Sequence, residues 1–430
     1  MATKYQSLRG TKDILPEDSR TWRYVEGKIS DIFARFGYQE IRTPIFEMTE
    51  LFVRSIGAST DIVNKEMYTF PDKKGRSLTL RPEGTAPVVR AYIQNQLYQK
   101  DEVLKLYYKG PFFRYERPQA GRERQFHQFG VEVLGASSPA IDAEIIYLGC
   151  FILKSLGLDN AKLLLGSVGC SDCRPAYEKL IVSTLKESTS KLCDDCQKRY
   201  KTNPLRMLDC KNEDCKKQLK KIPSFAGSLC DDCKKYLNET EELLKLLEVS
   251  YTISPHLVRG LDYYTRTTFE FVYSGLGAQS TVIGGGRYNN LIKEFGGPSV
   301  SACGFAGGME RLISVLKNEG KIPSLSDGLD VFIAQIPANT ETAGKGDECF
   351  KTAFKLLQEI RCFKISADMD YRNGSLKSQF RKANKLKASY VIVIGEDEIK
   401  KGIVKLKDMK TGNEENIKLD EATSKLKEKF

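Results

Sequence analysis

Residues 108–134 contain the side chains in this sequence that are best suited to binding a charged ligand. Their spacing predicts two strands joined by a basic turn near Pro118 and Gly121, and side chains on a strand alternate between its faces. One face would then present Phe112, Arg114 and Glu116 from the first strand and Phe126, Gln128, Gly130 and Glu132 from the second. Because burying such charges without partners is unfavourable, this face is unsuited to a core. We expect it to bind a ligand with a phosphate, a flat ring and an amine.

Arginines would have to bind any nucleotide phosphate, because the common glycine-rich phosphate loops are missing from the sequence. Neither GxxxxGK[ST] nor GxGxxG after a first strand occurs. A guanidinium matches phosphate oxygens and can stack on the flat ring of a ligand. The aromatic ring of Phe126 could stack on the same flat ring. The string GFAGGMER at 304–311 predicts a close backbone approach, with Arg311 at the start of a helix. Glycine strings of this kind also occur in tight helix–sheet packing.

Eight of the twelve cysteines lie between residues 170 and 233, in four close pairs. The pairs are Cys170/Cys173, Cys193/Cys196, Cys210/Cys215 and Cys230/Cys233. Two Cys-x2-Cys pairs flanking a Cys-x4-Cys pair are typical of a structural zinc site, and a small segment gains stability from a metal. We expect roughly one or two Zn²⁺ per chain, bound by the last three pairs and with Cys170 and Cys173 as further candidates. A metal-free thiol segment and a redox role are the alternatives, and the spacing does not tell which pairs share an ion.

Length and composition limit the class of protein. A chain of 430 residues is too long for one core and predicts about two or three domains. Because the beginning, MATKYQSLRG, has no apolar signal core and no segment resembles a membrane span, we expect a cytoplasmic protein without membrane contact. The net charge of +11 suits a polyanionic partner. With two histidines, His127 and His256, extensive histidine acid–base chemistry is not expected.

The elements around these motifs follow from apolar periodicity and turn residues. A helix is predicted over 17–36, then a strand in YQEIRTPIFE, and Thr85 is a candidate N-cap of a helix with Glu83 just before it. Residues 169–249 are rich in lysine and cysteine and helical in pattern, and LCDDC twice opens a predicted helix there. After a linker at 317–328, alternating strands and helices predict a parallel α/β unit. In it, Lys377, Arg381 and Lys385 form a basic stripe, which is also the pattern of an ordinary solvated helix face.

Together these motifs resemble those of histidyl-tRNA synthetases of the bacterial type, which are class II aminoacyl-tRNA synthetases. GYQEIRTPIFE with the preceding helix resembles motif 1, FRYERPQAGRERQFHQFGVEVLG motif 2 and GFAGGMER motif 3. LVRGLDYYTRTTFEF and GGGRYNNL resemble the two histidine-specific segments, and YVIVIGEDE lies in a region similar to the anticodon-binding domain. The resemblance covers nearly the whole chain and implies an α+β fold. It divides the chain into an antiparallel-sheet catalytic domain at 1–168 and 250–322, a helical cysteine-rich insertion at 169–249 and a C-terminal α/β anticodon-binding domain at 329–430.

The resemblance also implies which residues bind the substrates. ATP would contact Arg114 through its α-phosphate, Arg122 through its outer phosphates, Glu116 through the adenine amine, and Phe126 and Arg311 through the two faces of adenine. The α-amino group of histidine would contact Glu83, Thr85 and Gln128, and its imidazole would contact Glu132 and Tyr264 with Tyr263 beside them. Arg259 would bridge the histidine carboxylate and the α-phosphate, so the implied catalytic residues are Arg259 and Arg114.

Activity and partners are implied in the same way. Histidine would react with ATP and Mg²⁺ to give histidyl-adenylate and diphosphate, and would then pass to the 3′ end of tRNA(His). Motif 1 implies a two-fold homodimer. The turn that contains Arg117, Gln119, Arg122 and Arg124 would contact the acceptor end of the tRNA. Asn289 stands where the family commonly has aspartate, which leaves the electrostatics of the GGGRYN segment open.

Two other functions fit part of the sequence. A non-catalytic paralogue could sense histidine and regulate its biosynthesis, but such proteins typically lose arginines of the ATP site and lack the C-terminal domain. Here Arg114, Arg259 and Arg311 are present, as is the region after residue 328. A zinc-bearing RNA-binding protein would explain the charge and the cysteines but would give the hairpin and the Arg259 segment no purpose. Histidine-dependent exchange between ATP and diphosphate would distinguish these functions.

Overall fold

The computed structural model describes residues 5–58, 60–119, 121–275, 280–324, 328–336, 348–372 and 374–430. The chain forms two compact units, Met1–Pro323 and Ser324–Phe430. Ala120 of the predicted turn and residues 325–327 of the predicted linker lie outside the described residues. Within the described part, no helix is at once long and apolar enough to cross a bilayer.

The first unit is built on one large and one small sheet. Its strands are β1 (Gln39–Glu40), β2 (Phe46–Met48), β3 (Thr69–Pro71), β4 (Ser77–Leu80), β5 (Leu104–Phe113), β6 (Gln125–Leu134), β7 (Lys162–Ser167), β8 (Thr252–Ile253), β9 (Thr265–Val272), β10 (Thr281–Arg287) and β11 (Ala302–Gly308). The large sheet has eight strands in the order β1-β5-β6-β11-β10-β9-β7-β8, and the small one has the order β2-β4-β3. In the large sheet only the pairs β1–β5 and β7–β8 are parallel. The predicted antiparallel-sheet catalytic fold is therefore confirmed.

Ten α-helices lie in the described part of the first unit. They are α1 (Pro16–Arg35), α2 (Thr49–Ile56), α3 (Thr85–Gln94), α4 (Pro139–Ser155), α5 (Cys173–Leu185), α6 (Asp194–Thr202), α7 (Glu213–Leu219), α8 (Asp231–Leu246), α9 (Leu291–Glu294) and α10 (Met309–Asn318). Side chains of α1, α4, α8 and α10 form one buried cluster with Phe129, Phe269 and Phe305 of the sheet. Because side chains alternate along a strand, the neighbouring positions Gln128, Glu270 and Gly304 face the other side, where the polar residues gather. Truncating a buried phenylalanine to alanine typically costs about 3–5 kcal/mol, so this cluster makes the sheet a stiff support.

The cysteine-rich segment leaves the sheet after β7 and returns at β8, which pairs with β7. It contains α5 to α8, and α6 and α8 begin immediately after Cys193 and Cys230, as the repeated LCDDC predicts. Two aspartates in the first turn of each helix favour this start, since negative charge is stabilising near a helix N-terminus. The predicted boundaries at 168/169 and 249/250 remain predictions.

The second unit contains strands β12 (Val331–Gln335), β13 (Ala367–Met369), β14 (Tyr390–Ile394), β15 (Ile403–Asp408) and β16 (Glu414–Lys418) with helices α11 (Glu348–Cys362), α12 (Leu376–Lys385), α13 (Glu396–Lys400) and α14 (Ala422–Lys427). The strand order is β13-β12-β14-β15-β16. Pairing is parallel among the first three strands, as predicted, and antiparallel for the last two. The hairpin of β15 and β16 was not predicted.

Three local predictions were wrong. The first strand of the 108–134 hairpin ends at Phe113, so Arg114 and Glu116 lie in the loop after β5 and not on its face. YQEIRTPIFE forms two short strands in different sheets, β1 and β2, because Pro44 lacks the N–H that a continuous ladder needs. Thr85 is the first residue of α3, and the N-cap position belongs to Gly84.

Candidate active site

A cavity on the polar face of the large sheet contains all five residues that the family resemblance assigns to ATP. Its walls come from the end of the hairpin, β10, β11 and the start of α10. The cavity is lined by Arg114, Glu116, Arg122, Phe126, Gln128, Arg259 and Arg311, together with residues not predicted, including Glu123, Thr281 and Glu310. All five predicted ATP residues therefore lie together, although Arg114 and Glu116 reach the cavity from a loop.

Contacts within the hairpin orient these side chains. Arg114 Nε donates to the carbonyl oxygen of Pro82 at 2.8 Å, and its guanidinium lies 5.4 Å from the centre of the Phe126 ring. Arg122 Nε lies 2.9 Å from Glu116 Oε2. Phe126 thus presents a ring to the cavity beside the fixed guanidinium group of Arg114. This is an arrangement that can accommodate a planar base beside phosphates.

The cavity concentrates positive charge. Arg114, Arg122, Arg259 and Arg311 all line it. Arg311 is fixed by donating from Nε to the Gly121 carbonyl oxygen at 3.0 Å and from Nη1 to the Thr281 carbonyl oxygen at 3.0 Å. Burial, followed by repulsion from Arg122, lowers the pKa of Arg311. An anionic ligand would relieve this repulsion, so the cavity is suited to a polyphosphate.

Arg259 lies at the inner end of this cavity and is held in place by residues of β9 and β10. Its Nη1 donates to Glu270 Oε1, and Glu270 Oε2 accepts from Thr281 Oγ1 at 2.8 Å. The guanidinium fits against Gly284, where a Cβ atom would lie 2.5–2.6 Å from three of its atoms. Gly284 therefore belongs to a close approach that no larger residue allows, which explains one glycine of the GGGRYN string.

A second, more deeply buried group of side chains surrounds Glu132. Thr85 Oγ1 donates to Glu132 Oε1 at 2.7 Å, and the Tyr108 and Tyr288 hydroxyls also donate to this carboxyl group. Burial raises the pKa of Glu132 to about 8, although these hydrogen bonds oppose the change. Tyr263 and Tyr264 lie beside it, with ring centres 4.7 Å apart. The Tyr264 hydroxyl and the Arg259 guanidinium are close enough to interact electrostatically, so the two groups of residues meet at this arginine.

Glu83 caps helix α3 from a buried position. Its carboxylate oxygens accept from the backbone N–H groups of Thr85 at 2.6 Å and Ala86 at 2.9 Å. Burial raises the pKa of Glu83, and these two hydrogen bonds oppose the rise. All seven residues that the sequence assigns to histidine thus lie along one face, from Glu83 through Glu132 to Arg259.

Besides Glu116 Oε2 and Arg122 Nε, which form an ion pair with each other, two buried polar atoms at the cavity form no hydrogen bond among the described residues. These are Gln128 Oε1 and Arg259 Nε. Buried polar groups are nearly always hydrogen-bonded, so this acceptor and this donor are available to pair with a ligand in the cavity. Both residues come from the predicted set.

Three further residues of the site were not predicted. Glu270 fixes Arg259, while Tyr108 and Tyr288 hydrogen-bond Glu132. Glu270 lies between the buried Phe269 and Phe271 on its strand. Because side chains alternate along a strand, its carboxylate had to lie on the face opposite the core, and this pattern could have identified Glu270 as a site residue. Tyr288 lies within GGGRYN, so this string contributes one of the hydroxyl groups that bind the Glu132 carboxyl group.

The unusual Asn289 accepts a hydrogen bond in place of a carboxylate. Arg287 Nη1 donates to Asn289 Oδ1 at 3.2 Å, while Arg287 Nη2 pairs with Asp142 Oδ1 at 2.7 Å. Arg287 is fully buried, so Asp142 supplies the charge that neutralises it. The amide therefore preserves the acceptor, and the buried ion pair does not depend on Asn289.

The eight clustered cysteines form two separate groups. Cys170, Cys173, Cys230 and Cys233 make up the base cluster, and Cys193, Cys196, Cys210 and Cys215 make up the outer cluster. In each cluster the four Sγ atoms lie within 4.8 Å of one another. The spacing of the cysteines within each pair does not indicate which two pairs come together in one cluster. Four thiols converging on one point match the ligand set of a structural zinc site.

Comparisons with known proteins agree with this geometry. A family model described as histidyl-tRNA synthetase matches residues 10–312, and one described as anticodon binding domain matches residues 330–429. The histidine–tRNA ligase of Caldanaerobacter subterraneus subsp. tengcongensis is 49% identical over 420 residues, which are 97% of this chain and 98% of that protein. The histidine–tRNA ligase of Clostridioides difficile is 47% identical over 423 residues, with 98% and 99% covered.

Among solved structures, apo histidyl-tRNA synthetase of S. aureus aligns with a TM-score of 0.82 and 40% identity, over 98% of this chain and 100% of that chain. Sequence and structure thus agree over both units, and the predicted family is confirmed. The chain belongs to the histidyl-tRNA synthetase family.

Proposed function

We propose that this protein is a ligase that activates L-histidine with ATP and transfers it to the 3′ end of tRNA(His). The observation that carries the proposal is the position of Arg259. Its guanidinium lines the arginine-rich cavity and is close enough to Tyr264, which lies beside Glu132, to interact with it electrostatically. One cation therefore joins a site suited to phosphates with a site suited to a small polar side chain, which is what formation of an aminoacyl-adenylate requires.

Alignment and charge, not proton transfer, would dominate the first step. The carboxylate of histidine is ionised at neutral pH and needs no general base. One of its oxygens attacks the α-phosphorus of ATP, the bond from that phosphorus to the bridging oxygen breaks, and diphosphate leaves. Arg114 and Arg259 would hold the two reacting groups together and stabilise the charge that develops. The absence of a required histidine base agrees with the two histidines of the sequence.

Mg²⁺ would accompany ATP. It prefers carboxylate, phosphate and water oxygens, and the cavity is lined by the carboxylates of Glu116, Glu123 and Glu310. These residues fit the ion, which would supply neutralisation of the phosphate charge. Glu310 is fixed by the backbone N–H of His127, which donates to it at 2.9 Å.

Recognition of histidine would depend on the buried groups around Glu132. A carboxyl group and a phenol hydroxyl can pair with both nitrogens of an imidazole, while Glu83, Thr85 and Gln128 supply oxygens for an ammonium group. A different amino acid would leave these buried groups unpaired, and such sites discriminate strongly. This supports histidine as the substrate over other amino acids of similar size.

The second step would use surfaces in both units. The terminal ribose hydroxyl of the tRNA attacks the carbonyl carbon of the adenylate, and AMP leaves. The hairpin turn is basic, and Arg124 is fixed over the Tyr115 ring with 4.1 Å between guanidinium and ring centre. We place the acceptor end of the tRNA at this turn, with Arg117 and Gln119, and its anticodon at the unit that matches the anticodon-binding family.

Quaternary structure and location are also part of the proposal. Exposed apolar side chains lie on β2 and β3 and directly before β2, namely Phe46, Met48, Phe70 and Ile45, with exposed fractions of 41–52%. Such a patch supports a two-fold homodimer that forms through motif 1. A cytoplasmic location follows from the substrate, since charged tRNA is consumed by translation, and there thiols remain reduced and available for zinc.

The proposal is tested by histidine-dependent exchange of labelled diphosphate into ATP, followed by charging of tRNA(His). Arg259→Ala should lower the exchange by roughly 100-fold or more with an unchanged unfolding midpoint, because it removes a cation from the reacting groups. The matched control is Arg23→Ala, an exposed arginine of α1, which should retain full activity. Activity that survives Arg259→Ala would contradict the role of Arg259. A wild-type protein without any histidine-dependent exchange would contradict the function and favour the histidine-sensing paralogue or the RNA-binding protein.

Structural zinc in the cysteine-rich segment completes the proposal. The converging thiols fit Zn²⁺ in both ligand type and number. Elemental analysis of protein purified without chelators should find bound zinc. A metal-free protein with an unchanged fold would favour the thiol-only alternative.

A further inference from the structure

The two cysteine clusters occupy different places in the chain. The base cluster joins Cys170 and Cys173, which follow β7, to Cys230 and Cys233 at the start of α8. It therefore closes the segment near the point where the segment leaves the sheet. The outer cluster joins residues from the middle of the same segment.

Both clusters have the dimensions of a tetrahedral thiolate site. The Sγ atom of Cys170 lies 3.6 Å from that of Cys173 and 3.9 Å from that of Cys230. The Sγ atoms of Cys193 and Cys210 are 3.9 Å apart. Four sulfurs at the usual Zn–S distance of about 2.3 Å would be separated by about 3.8 Å. In addition, the backbone N–H of Cys230 donates to Cys173 Sγ at 3.2 Å, and that of Cys193 donates to Cys215 Sγ at 3.1 Å. Such N–H donors stabilise thiolate charge.

The outer cluster also borders the turn that contacts the backbone of Arg259. A 3₁₀ turn at Pro204–Asp209 lies between Cys196 and Cys210, and the N–H of Cys210 donates to the carbonyl oxygen of Met207 at 2.9 Å. From this turn, Arg206 Nη1 donates to the Arg259 carbonyl oxygen at 2.6 Å and Nη2 to the Gly260 carbonyl oxygen at 2.7 Å. Arg206 is 8% exposed, so these bonds are partly shielded from water.

We propose that each cluster binds one Zn²⁺ and that the outer ion fixes Arg206, which positions Arg259 for the reaction. The positioning part rests on the function proposed above. Two parallel bonds from one planar guanidinium to consecutive carbonyl groups define both the position and the orientation of the Arg259 backbone. The outer ion anchors the turn from its other side through Cys210. Arg206 is thus a positioning residue, and the outer cluster links metal binding to catalysis.

The metal sites are tested by counting zinc in the full-length protein. Wild-type protein purified without chelators should contain about two ions per chain, and Cys210→Ser and Cys230→Ser should each contain about one. The matched control is Cys362→Ser, an exposed cysteine outside both clusters, which should retain both ions. A wild-type protein without zinc, or a zinc content unchanged by Cys210→Ser, would overturn the outer site.

The positioning role is tested by hydrogen exchange and by kinetics. In both Cys210→Ser and Arg206→Ala, the amides of residues 257–264 should exchange faster. The kcat of histidine-dependent exchange should fall by roughly 10-fold or more while the KM for ATP changes little, since misplaced reacting groups lower the rate of the bound complex. Arg206→Lys should have a higher kcat than Arg206→Ala because lysine retains one charged donor. If Arg206→Ala does not fold, Arg206→Lys takes its place in the test. Lys211→Ala, next to Cys210 and exposed, is the control that should change neither measurement.

Unchanged exchange at 257–264 in both variants would overturn the positioning role. Failure of the proposed function would be visible separately, as a wild-type protein without histidine-dependent activity. In that case the zinc counts and the amide exchange still decide whether the outer ion fixes the Arg259 segment.

Discussion

Glu132 combines deep burial with three hydrogen bonds from hydroxyl groups, and its proton should affect stability. Its pKa is raised to about 8 by burial, whereas an unfolded glutamate titrates near pH 4.3. Between about pH 4.3 and 8 the folded protein retains a proton that the unfolded chain has lost, so the stability contributed by this group falls as the pH rises through this window. Glu132→Gln keeps the shape and cannot ionise. The unfolding free energy of ligand-free wild type should therefore decrease more than that of the variant from about pH 5.5 to 8, by up to ~1.4 kcal/mol per pH unit. Parallel curves in urea titrations would contradict the buried proton.

Glu270 is the residue that sequence reasoning missed beside Arg259, the arginine to which we assign the catalytic role. Glu270→Gln retains the shape but removes the charge paired with Arg259, which lowers the precision of its placement. Histidine-dependent exchange should fall by roughly 10–100-fold. Thr281→Val, which removes the hydroxyl bound to Glu270, should have a smaller effect in the same direction. Glu294→Gln, an exposed carboxylate on α9, is the control, and an equal loss there would show that the effect is not local.

At the scale of elements, glycines in β10 and β11 allow side chains to lie close to the sheet. Alanine substitutions at two of these glycines, Gly284 and Gly304, should have different effects on activity and stability. A Cβ at Gly284 would meet the end of the Arg259 side chain, which can move, so Gly284→Ala should remain folded and lose activity. A Cβ at Gly304 would lie 2.3 Å from the Val131 carbonyl oxygen and 2.0 Å from Glu132 Oε2. Since the backbone there cannot give way, Gly304→Ala should lower the unfolding free energy by about 1–3 kcal/mol or more. Activity and urea unfolding measured on both variants test this difference, and similar behaviour would contradict it.

At the scale of the whole molecule, the exposed apolar patch on β2 and β3 should form the dimer interface. Phe46→Glu would place a charge in the centre of such an interface and should convert a dimer into a monomer at micromolar concentration. Leu246→Glu, at an apolar side chain that is 78% exposed on α8, should remain dimeric. Analytical ultracentrifugation distinguishes these outcomes, and a monomeric wild type would refute the proposed dimer.

Much of this architecture could be predicted because it depends on local patterns. Alternation placed Phe126 and Glu132 on one face of β6, and short strings identified the neighbourhoods of Arg259 and Arg311. The end of β5 could not be predicted, because Arg114 continues the alternation while its backbone already belongs to a loop.

The omissions in the cysteine-rich segment concern partners that are distant in sequence. Arg206 meets the Arg259 carbonyl across 53 residues, and Cys170 meets Cys230 across 60 residues. Spacing shows that cysteines form pairs, but only the three-dimensional path of the segment determines which pairs converge. The division of eight thiols into two groups of four was therefore beyond the sequence.

The strand order of the large sheet also has a consequence for synthesis of the chain. β6 and β7 are separated in the sheet by β11, β10 and β9, which are all made later. At ~5–20 residues per second, roughly 10–30 s pass between the emergence of residue 134 and that of residue 302. During this time the ribosome carries a nascent chain in which the inner edge of β6 has no neighbour, and the inner edge of β7 has none until β9 is made. Since unpaired strand edges promote aggregation, products released before β11 is complete should depend on chaperones for their solubility.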